Sequence, residues 1–340
     1  MSQTVVPKIY DVLIIGGGPA GLANATALAR QLRTNAVFDS GVYRNARATN
    51  MHNYLGFDHV PPAEFRAKAR ADLKARYNTT TFIDREVLSI SKFPISTPEK
   101  EVTIFKAVDS ASETHYGRAV VLATGVTDLY PDIEGFDDCW GRGIFHCLFC
   151  HGFEERGSKS AGVLLGGFLT KGPMALHFAH MAGQLAAGVT IYTNGDETLG
   201  GEVEALLKGH GHFKVDKRKI VKLEMANGAG EGAGDVHKAG SEIILHFADG
   251  TSAKEGFLAH STRTKANGPF AEQLGLELTE TGDYKTANFF SESNVPGVFV
   301  VGDCGQMVKA VATATSSGAL AAGGMTAHFA SLPKNLVIPN

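Results

Sequence analysis

Two hydrophobic rhythms alternate along this chain, and the points where one gives way to the other outline its elements. Residues 10–15, Tyr-Asp-Val-Leu-Ile-Ile, form a short apolar run of the kind a buried strand shows. Leu22, Ala25, Leu28, Ala29 and Leu32 then recur at helical spacing, and Ala36-Val37-Phe38 gives a second strand ending in Asp39. Residues 41–60 are irregular and polar, carrying Arg44, Arg47, His52, Asn53 and His59. Pro61-Pro62 precede a helix predicted over 63–77, whose Arg and Lys residues read as a solvated face. Two β segments follow near 80–92 and 101–109, and Ala119 to Leu122 is a buried strand closing on Ala123-Thr124-Gly125.

The same strand–turn–helix–strand order returns later. Ala161 to Leu165 is a strand, and Gly166-Gly167-Phe168-Leu169-Thr170-Lys171 its turn. A helix from about Pro173 turns Ala175, Phe178, Ala179, Ala182 and Leu185 inward, and Val189 to Thr193 is the next strand. Residues 226–241 are rich in Gly and Ala and predict a flexible loop. Glu242 to Phe247 is a strand with a hairpin turn at Asp249-Gly250, and 257–260 leads back to the first domain. Gly297 to Val301 is a last buried strand ending in Gly302-Asp303, and the helix over 310–330 is built almost wholly of small residues. Such residues permit close backbone approach, to a flavin ring or to another subunit.

The first turn is a complete G-x-G-x-x-G, Gly16-Gly17-Gly18-Pro19-Ala20-Gly21. Gly16 permits the tight turn, Gly18 lets backbone meet a pyrophosphate, and Gly21 lets helix pack on strand. The helix N-terminus then faces the phosphates, and Asp39, 21 residues after Gly18, suits ribose hydroxyls. The second turn is degenerate. Phe168 stands where the second glycine belongs, Lys171 replaces the small third residue, and the next strand ends in Asn194-Gly195-Asp196-Glu197. A nucleotide 2′-phosphate wants arginines at that strand end, and two carboxylates repel it.

Composition narrows the picture. With 340 residues, 44% of them apolar, two cores are affordable in size. The net charge of −3, without a basic block, argues against a nucleic-acid partner. No apolar run approaches the roughly 20 residues that span a bilayer, and neither a signal peptide nor a C-terminal sorting tag is read, so a cytoplasmic protein is expected. Four cysteines do not make a disulfide scaffold.

The chemistry centres on His146-Cys147-Leu148-Phe149-Cys150-His151. Two residues between cysteines let both sulfurs reach one short disulfide if Cys150 opens a helix. A helix N-terminus and a nearby imidazolium both favour the thiolate. Such a pair shuttles two electrons. The same spacing is half of a zinc knuckle, with His146 and His151 as further ligands. A structural zinc site wants a second spaced pair, whereas Cys139 and Cys304 are isolated. The flanking cofactor motifs favour the redox reading, with no metal.

In this order the motifs resemble the low-molecular-weight thioredoxin reductase family over nearly the whole chain. That resemblance implies an α/β fold of two Rossmann-like, three-layer ββα dinucleotide-binding domains. An FAD domain, 1–122 and 260–340, is split around a central redox domain, 123–259. It implies that Gly16, Gly18, Gly21 and Asp39 touch the ADP half of FAD, and that Asp303 holds the ribityl chain. Val311, in the 310–312 turn, would lie at the flavin ring. Pro19, Ala20, Ser40, Asn53, Ala123, Thr124, Gly125 and Gly302 complete the expected cofactor set. Cys150 becomes the sulfur beside the flavin and Cys147 the one that exchanges with substrate. A homodimer is implied as well.

The chain departs from thioredoxin reductases at the second glycine turn, at Thr193-Asn194-Gly195-Asp196, at His151 in place of an Asp, and at Lys309-Ala310-Val311. These departures, and Cys-Leu-Phe-Cys-His-Gly-Phe-Glu at 147–154, are similar to the gliotoxin-type dithiol oxidases of natural-product biosynthesis. The expectation is an FAD-dependent oxidase that closes a disulfide in a small-molecule dithiol and passes the electrons to O₂, giving H₂O₂. His151, then His146, is the expected base. Phe145, Phe149 and Phe153 suggest a partly apolar substrate. The alternatives are an NAD(P)H-dependent thioredoxin or disulfide reductase, and a non-catalytic zinc- or flavin-binding protein.

Overall fold

A computed structural model describes residues 8–208, 211–226, 240–333 and 336–338. The chain divides into two compact units, residues 1–46, 60–127 and 264–340, and residues 47–59 and 128–263. The polar segment Arg47–His59 therefore belongs to the second unit, although it lies early in the sequence. The expected Gly/Ala-rich loop lies, from Asn227 to Ala239, outside the described residues.

The first unit is built on the strand Ile9–Ile15, which pairs in parallel with Asn35–Phe38 on one side and Thr114–Leu122 on the other. Thr80–Ile83 extends one edge, and Val298–Val300 pairs in parallel with Thr114–Leu122. The antiparallel strands Val87–Ser96 and Glu101–Asp109 branch from that same strand. Alternation sorts the central strand onto two cores. Leu13 and Ile15 enter one, with Phe105, Phe270 and Tyr284, while Val12 and Ile14 enter the other, with Leu22, Leu28 and Phe329.

The helix Pro19–Arg30 buries Leu22, Ala25, Leu28 and Ala29 as its spacing predicts. Leu32 departs from that face. The helix has already ended, and Leu32 turns at φ 55° and is 79% exposed. The small-residue helix spans Val311–Ala330, and a Cβ at Gly318 would lie 2.2 Å from the carbonyl oxygen of Ala20. Its small side chains thus serve close packing against the first helix.

Asp109, buried at the turn before Thr114–Leu122, accepts from the backbone of Ala111 and Glu113, from Arg85 and from His115. Burial pushes its carboxyl up, but these hydrogen bonds outweigh burial and hold it at about 2. The folded value lies below the unfolded one, so the stabilisation is complete above about pH 4 and is lost as pH falls toward about 2. Asp109→Asn is expected to flatten that acid limb, measured as denaturant midpoint against pH.

The second unit carries a five-stranded parallel sheet in the order Phe213–Asp216, Val189–Tyr192, Ala161–Leu164, Leu258–Ala259, Ile144–Phe145. A three-stranded antiparallel sheet, Ile220–Met225, Ile243–Phe247 and Ser252–Glu255, accompanies it. The expected hairpin is present, with Gly250 at φ 82°. In the helix Gly172–Gly183, Ala175, Ala179 and Ala182 are buried and Phe178 is only partly so, while Leu185, also partly buried, lies beyond the helix end. Leu258–Ala259 is an integral strand of this sheet. The α/β class with two ββα units is as expected. Among the described residues, no helix is long and apolar enough to cross a membrane.

Candidate active site

Cys147 and Cys150 form a disulfide, with Cα atoms 5.2 Å apart. The disulfide closes without Cys150 opening a helix. The segment 148–150 is a turn, and a short 3₁₀ helix follows at Phe153–Glu155. The amides of Cys150 and His151 both donate to the Cys147 carbonyl, at 3.1 and 2.9 Å. The turn is tight enough that a Cβ at Gly152 would lie 2.1 Å from the Leu148 carbonyl oxygen. The turn still supplies what a helix N-terminus would. The Cys150 N–H reaches the Cys147 sulfur at 3.1 Å, a donor that favours negative charge there.

Both flanking histidines are fixed by rings. His146 stacks on Trp140 with centroids 5.8 Å apart, and His151 lies parallel to Phe145 at 5.6 Å. Burial, and then the neighbouring His52, push the His151 pKa down, while Glu154 pulls the other way. Its neutral form is thereby favoured. Of the aromatic candidates, Phe145 is buried, while Phe149 and Phe153 are 70% and 60% exposed beside the disulfide in sequence. The free cysteines Cys139 and Cys304 are buried, and burial pushes each thiol up to about 11.

Sequence reasoning did not connect the loop at 51–59 to this turn. The His59 amide donates to the Met51 carbonyl at 3.0 Å, which closes the loop and sets His52 against His59 with centroids 4.5 Å apart. His52 also meets the edge of His151 at 5.9 Å. Glu154 Oε1 faces both His52 Nε2, at 3.7 Å, and His59 Nε2, at 3.9 Å. Asn53, expected in the cofactor set, lies in this loop at φ 58° and donates its amide to Asp58 at 3.0 Å. Two histidines seven apart around an acidic residue were the available signal.

In the first unit, Gly16 has φ 123°, and a Cβ there would lie 2.2 Å from the Ala123 carbonyl oxygen. A Cβ at Gly21 would lie 1.9 Å from the Gly16 carbonyl oxygen, whereas Gly18 faces open space. The helix opening at Pro19-Ala20 has no side-chain cap and no acidic residue in its first turn. An uncapped, unopposed helix N-terminus above an open glycine suits a pyrophosphate. Asp39, buried at the next strand end, accepts from Tyr43 Oη at 2.7 Å, from Arg70 at 2.9 Å and from the Gly41 amide at 3.0 Å. Ser40 beside it is exposed. Thr124 accepts from Asn267 through its carbonyl, and Gly125 has φ 65°. Gly302 has φ 73°, and Asp303 pairs with Arg44 at 3.1 Å. Val311 begins the last helix, behind a Lys309 amine held by Asp283 and by the Asp303 and Gln306 carbonyls.

The second unit's turn is engaged by its own chain. Gly166 and Leu169 exchange backbone hydrogen bonds across it, with Gly166 at φ 119° and Gly167 at φ 59°. At the adjoining strand end, Asn194 accepts from the Ile220 amide, and Asp196 caps the helix Glu197–Leu206 through the Leu199 amide.

A complete glycine turn in one unit and a redox disulfide in the other define a dinucleotide-binding disulfide oxidoreductase. The chain belongs to the family described as pyridine nucleotide-disulphide oxidoreductase, which matches residues 10–318. It is thioredoxin reductase-like, and FAD is the cofactor of this flavoprotein class. Among its relatives, "Thioredoxin reductase sirT" of Leptosphaeria maculans is 42% identical, covering 94% of each chain. "Thioredoxin reductase aclD" of Aspergillus oryzae is 40% identical, covering 95% of this chain and 97% of its own. A crystal structure of an oxidoreductase from Agrobacterium tumefaciens superposes with a TM-score of 0.79 at 28% identity, covering 95% of this chain and 99% of that one.

Proposed function

We propose that this flavoprotein is a dithiol oxidase that closes an intramolecular disulfide in a small-molecule dithiol, with O₂ as acceptor and H₂O₂ as by-product. The observation that carries this reading is the second unit's nucleotide turn. Its backbone groups bond to each other, Arg263 is taken up by the Gly167 carbonyl, and the strand-end residues Asn194 and Asp196 bond to the chain, an arrangement that disfavours a nucleotide phosphate there. The exposed Phe149 and Phe153 beside the disulfide suit a compact apolar scaffold. The similarity of 147–154 to the gliotoxin-type oxidases supports a substrate of the epidithiodioxopiperazine-like class, and the resemblance to thioredoxin reductases supports a homodimer.

In this reading, one substrate thiolate attacks Cys147. The Cys147–Cys150 bond breaks, Cys150 leaves as a thiolate, and substrate is held as a mixed disulfide. The second substrate thiol attacks the substrate sulfur of that bridge and expels Cys147, releasing the cyclic disulfide. The two electrons and two protons of the substrate now belong to the cysteine pair and its surroundings. The Cys150 amide offsets charge on the Cys147 sulfur, and His151 receives the substrate proton by its position next to Cys150. Gly16, Gly18, Pro19, Ala20 and Gly21 would hold the FAD pyrophosphate, and Asp39 with Ser40 its adenosine ribose. Ala123, Thr124, Gly125, Gly302, Asp303 and Val311 would hold its flavin half. Bound FAD supplies the two-electron acceptor that discharges to O₂.

The relatives' own names favour one other reading, an NAD(P)H-dependent disulfide reductase. An anaerobic flavin spectrum separates the two. Bleaching by a small dithiol, and recovery with stoichiometric H₂O₂ on admitting air, is the expected result. Rapid bleaching by NADPH or NADH would overturn the oxidase in favour of the reductase. His151→Asn is expected to lower dithiol turnover by about 10² to 10⁴, the range for a lost proton acceptor, while leaving the flavin absorbance intact.

A further inference from the structure

We propose that His52, His59 and Glu154 form a binding site for a divalent transition metal of the zinc type, independent of the oxidase reading. One ligand atom from each residue lies within 4.8 Å of the others. His52 Nε2 and His59 Nε2 stand 3.7 and 3.9 Å from the same Glu154 oxygen. Those separations are too long for hydrogen bonds. They are close to the roughly 3.3 Å edge of a tetrahedron with metal–ligand bonds near 2.0–2.1 Å. A shift of a few tenths of an ångström brings the three atoms onto one ion.

The orientation of the rings is the second observation. Asp58 lies behind both histidines, with its two oxygens 3.5 Å from His52 Nδ1 and 3.0 Å from His59 Nδ1. The Asn53 amide, donating to Asp58 at 3.0 Å, fixes that carboxylate in turn. The Asp58 hydrogen bond on His59 Nδ1 selects the tautomer that carries its proton there and leaves the Nε2 lone pair bare, and the longer Asp58 approach to His52 Nδ1 favours the same orientation. Two Nε2 lone pairs and a carboxylate oxygen therefore converge on one point, an arrangement that a cation relieves. Two imidazoles with one carboxylate select zinc over magnesium or calcium, which prefer oxygen ligands. His59 is 57% exposed on its side chain, which leaves a fourth position open to solvent. Across the site, Glu154 and Asp58 balance the charge of a divalent ion, and His151 adds a ring edge against His52.

The test uses the full-length, FAD-loaded protein with its disulfide oxidised, stripped with a chelator and titrated calorimetrically with zinc sulfate. One zinc per chain is expected. Glu154→Gln and His59→Ala should each weaken binding at least about 100-fold, and Asp58→Asn about 10- to 100-fold. His59→Ala alters an exposed side chain and keeps the test open if a buried variant fails to fold, with metal-free thermal melting as the control. Cys147→Ser/Cys150→Ser should bind zinc as the parent does. Absence of saturable binding, parental affinity in both ligand variants, or loss of binding in the cysteine variant would overturn the site.

Discussion

Cys147→Ser and Cys150→Ser are each expected to lower dithiol oxidation by on the order of 10³-fold or more, with FAD retained. Replacing either sulfur removes the group that accepts electrons from substrate, and nothing nearby substitutes for it. Cys139 and Cys304 are buried thiols with pKa pushed up to about 11, so neither supplies a thiolate near neutral pH. The measurement is the anaerobic flavin spectrum alongside steady-state oxygen uptake. In both variants a dithiol that bleaches the parent flavin should leave the variant yellow. Residual turnover within tenfold of the parent would show that substrate bypasses the pair. Retention of FAD is expected because the glycine turn lies in a different unit from the disulfide.

Gly16→Ala is expected to destabilise the first unit by about 3 kcal/mol or more and to yield protein that purifies without flavin. Two costs combine. At φ 123° an L side chain is strained, by about 1–3 kcal/mol, and the new Cβ would lie 2.2 Å from the Ala123 carbonyl oxygen. Relief requires Ile9–Ile15 and Thr114–Leu122 to separate at the end where the chain turns toward the helix, since Ala123 is paired there through its amide to Ile15. Thermal unfolding and the flavin-to-protein ratio measure the two effects separately. A variant with parental melting and full flavin content would show that the turn tolerates a side chain.

The first turn was readable because its requirements are local. Gly16, Gly18 and Gly21 sit at fixed offsets; the first and last correspond to close backbone approaches in the structure, and Gly18 leaves open space. Strands were readable where alternation or continuous apolarity forced a side chain to choose a core, as with Val12 to Ile15. Leu32 was misplaced because periodicity carries no stop signal, and the chain had already left the helix. The small-residue helix declared close packing but not its partner, which proved to include Ala20 of the first helix. The disulfide was legible in the spacing of the two cysteines, but its backbone was not, because that spacing is compatible with a helix start or with the turn found. The cluster at His52, His59 and Glu154 was legible only in half, as two histidines around Asp58 with no sign of Glu154. Its members meet across nearly a hundred residues, and only the 47–59 segment's place in the second unit brings them together.

The two burials at Cys139 and Cys304 have a consequence for durability. An oxidase of the proposed kind releases peroxide from its own interior at every turnover. Peroxide attacks thiolates far faster than thiols, and it drives exposed ones up an irreversible series of sulfur acids. By keeping both spare thiols protonated and out of solvent, the fold withholds them from that series and leaves the reactive pair as the cysteines that are reset each cycle. In an oxidase of that kind, the cysteines at risk from peroxide would be those of the disulfide turn and not the two buried in the cores.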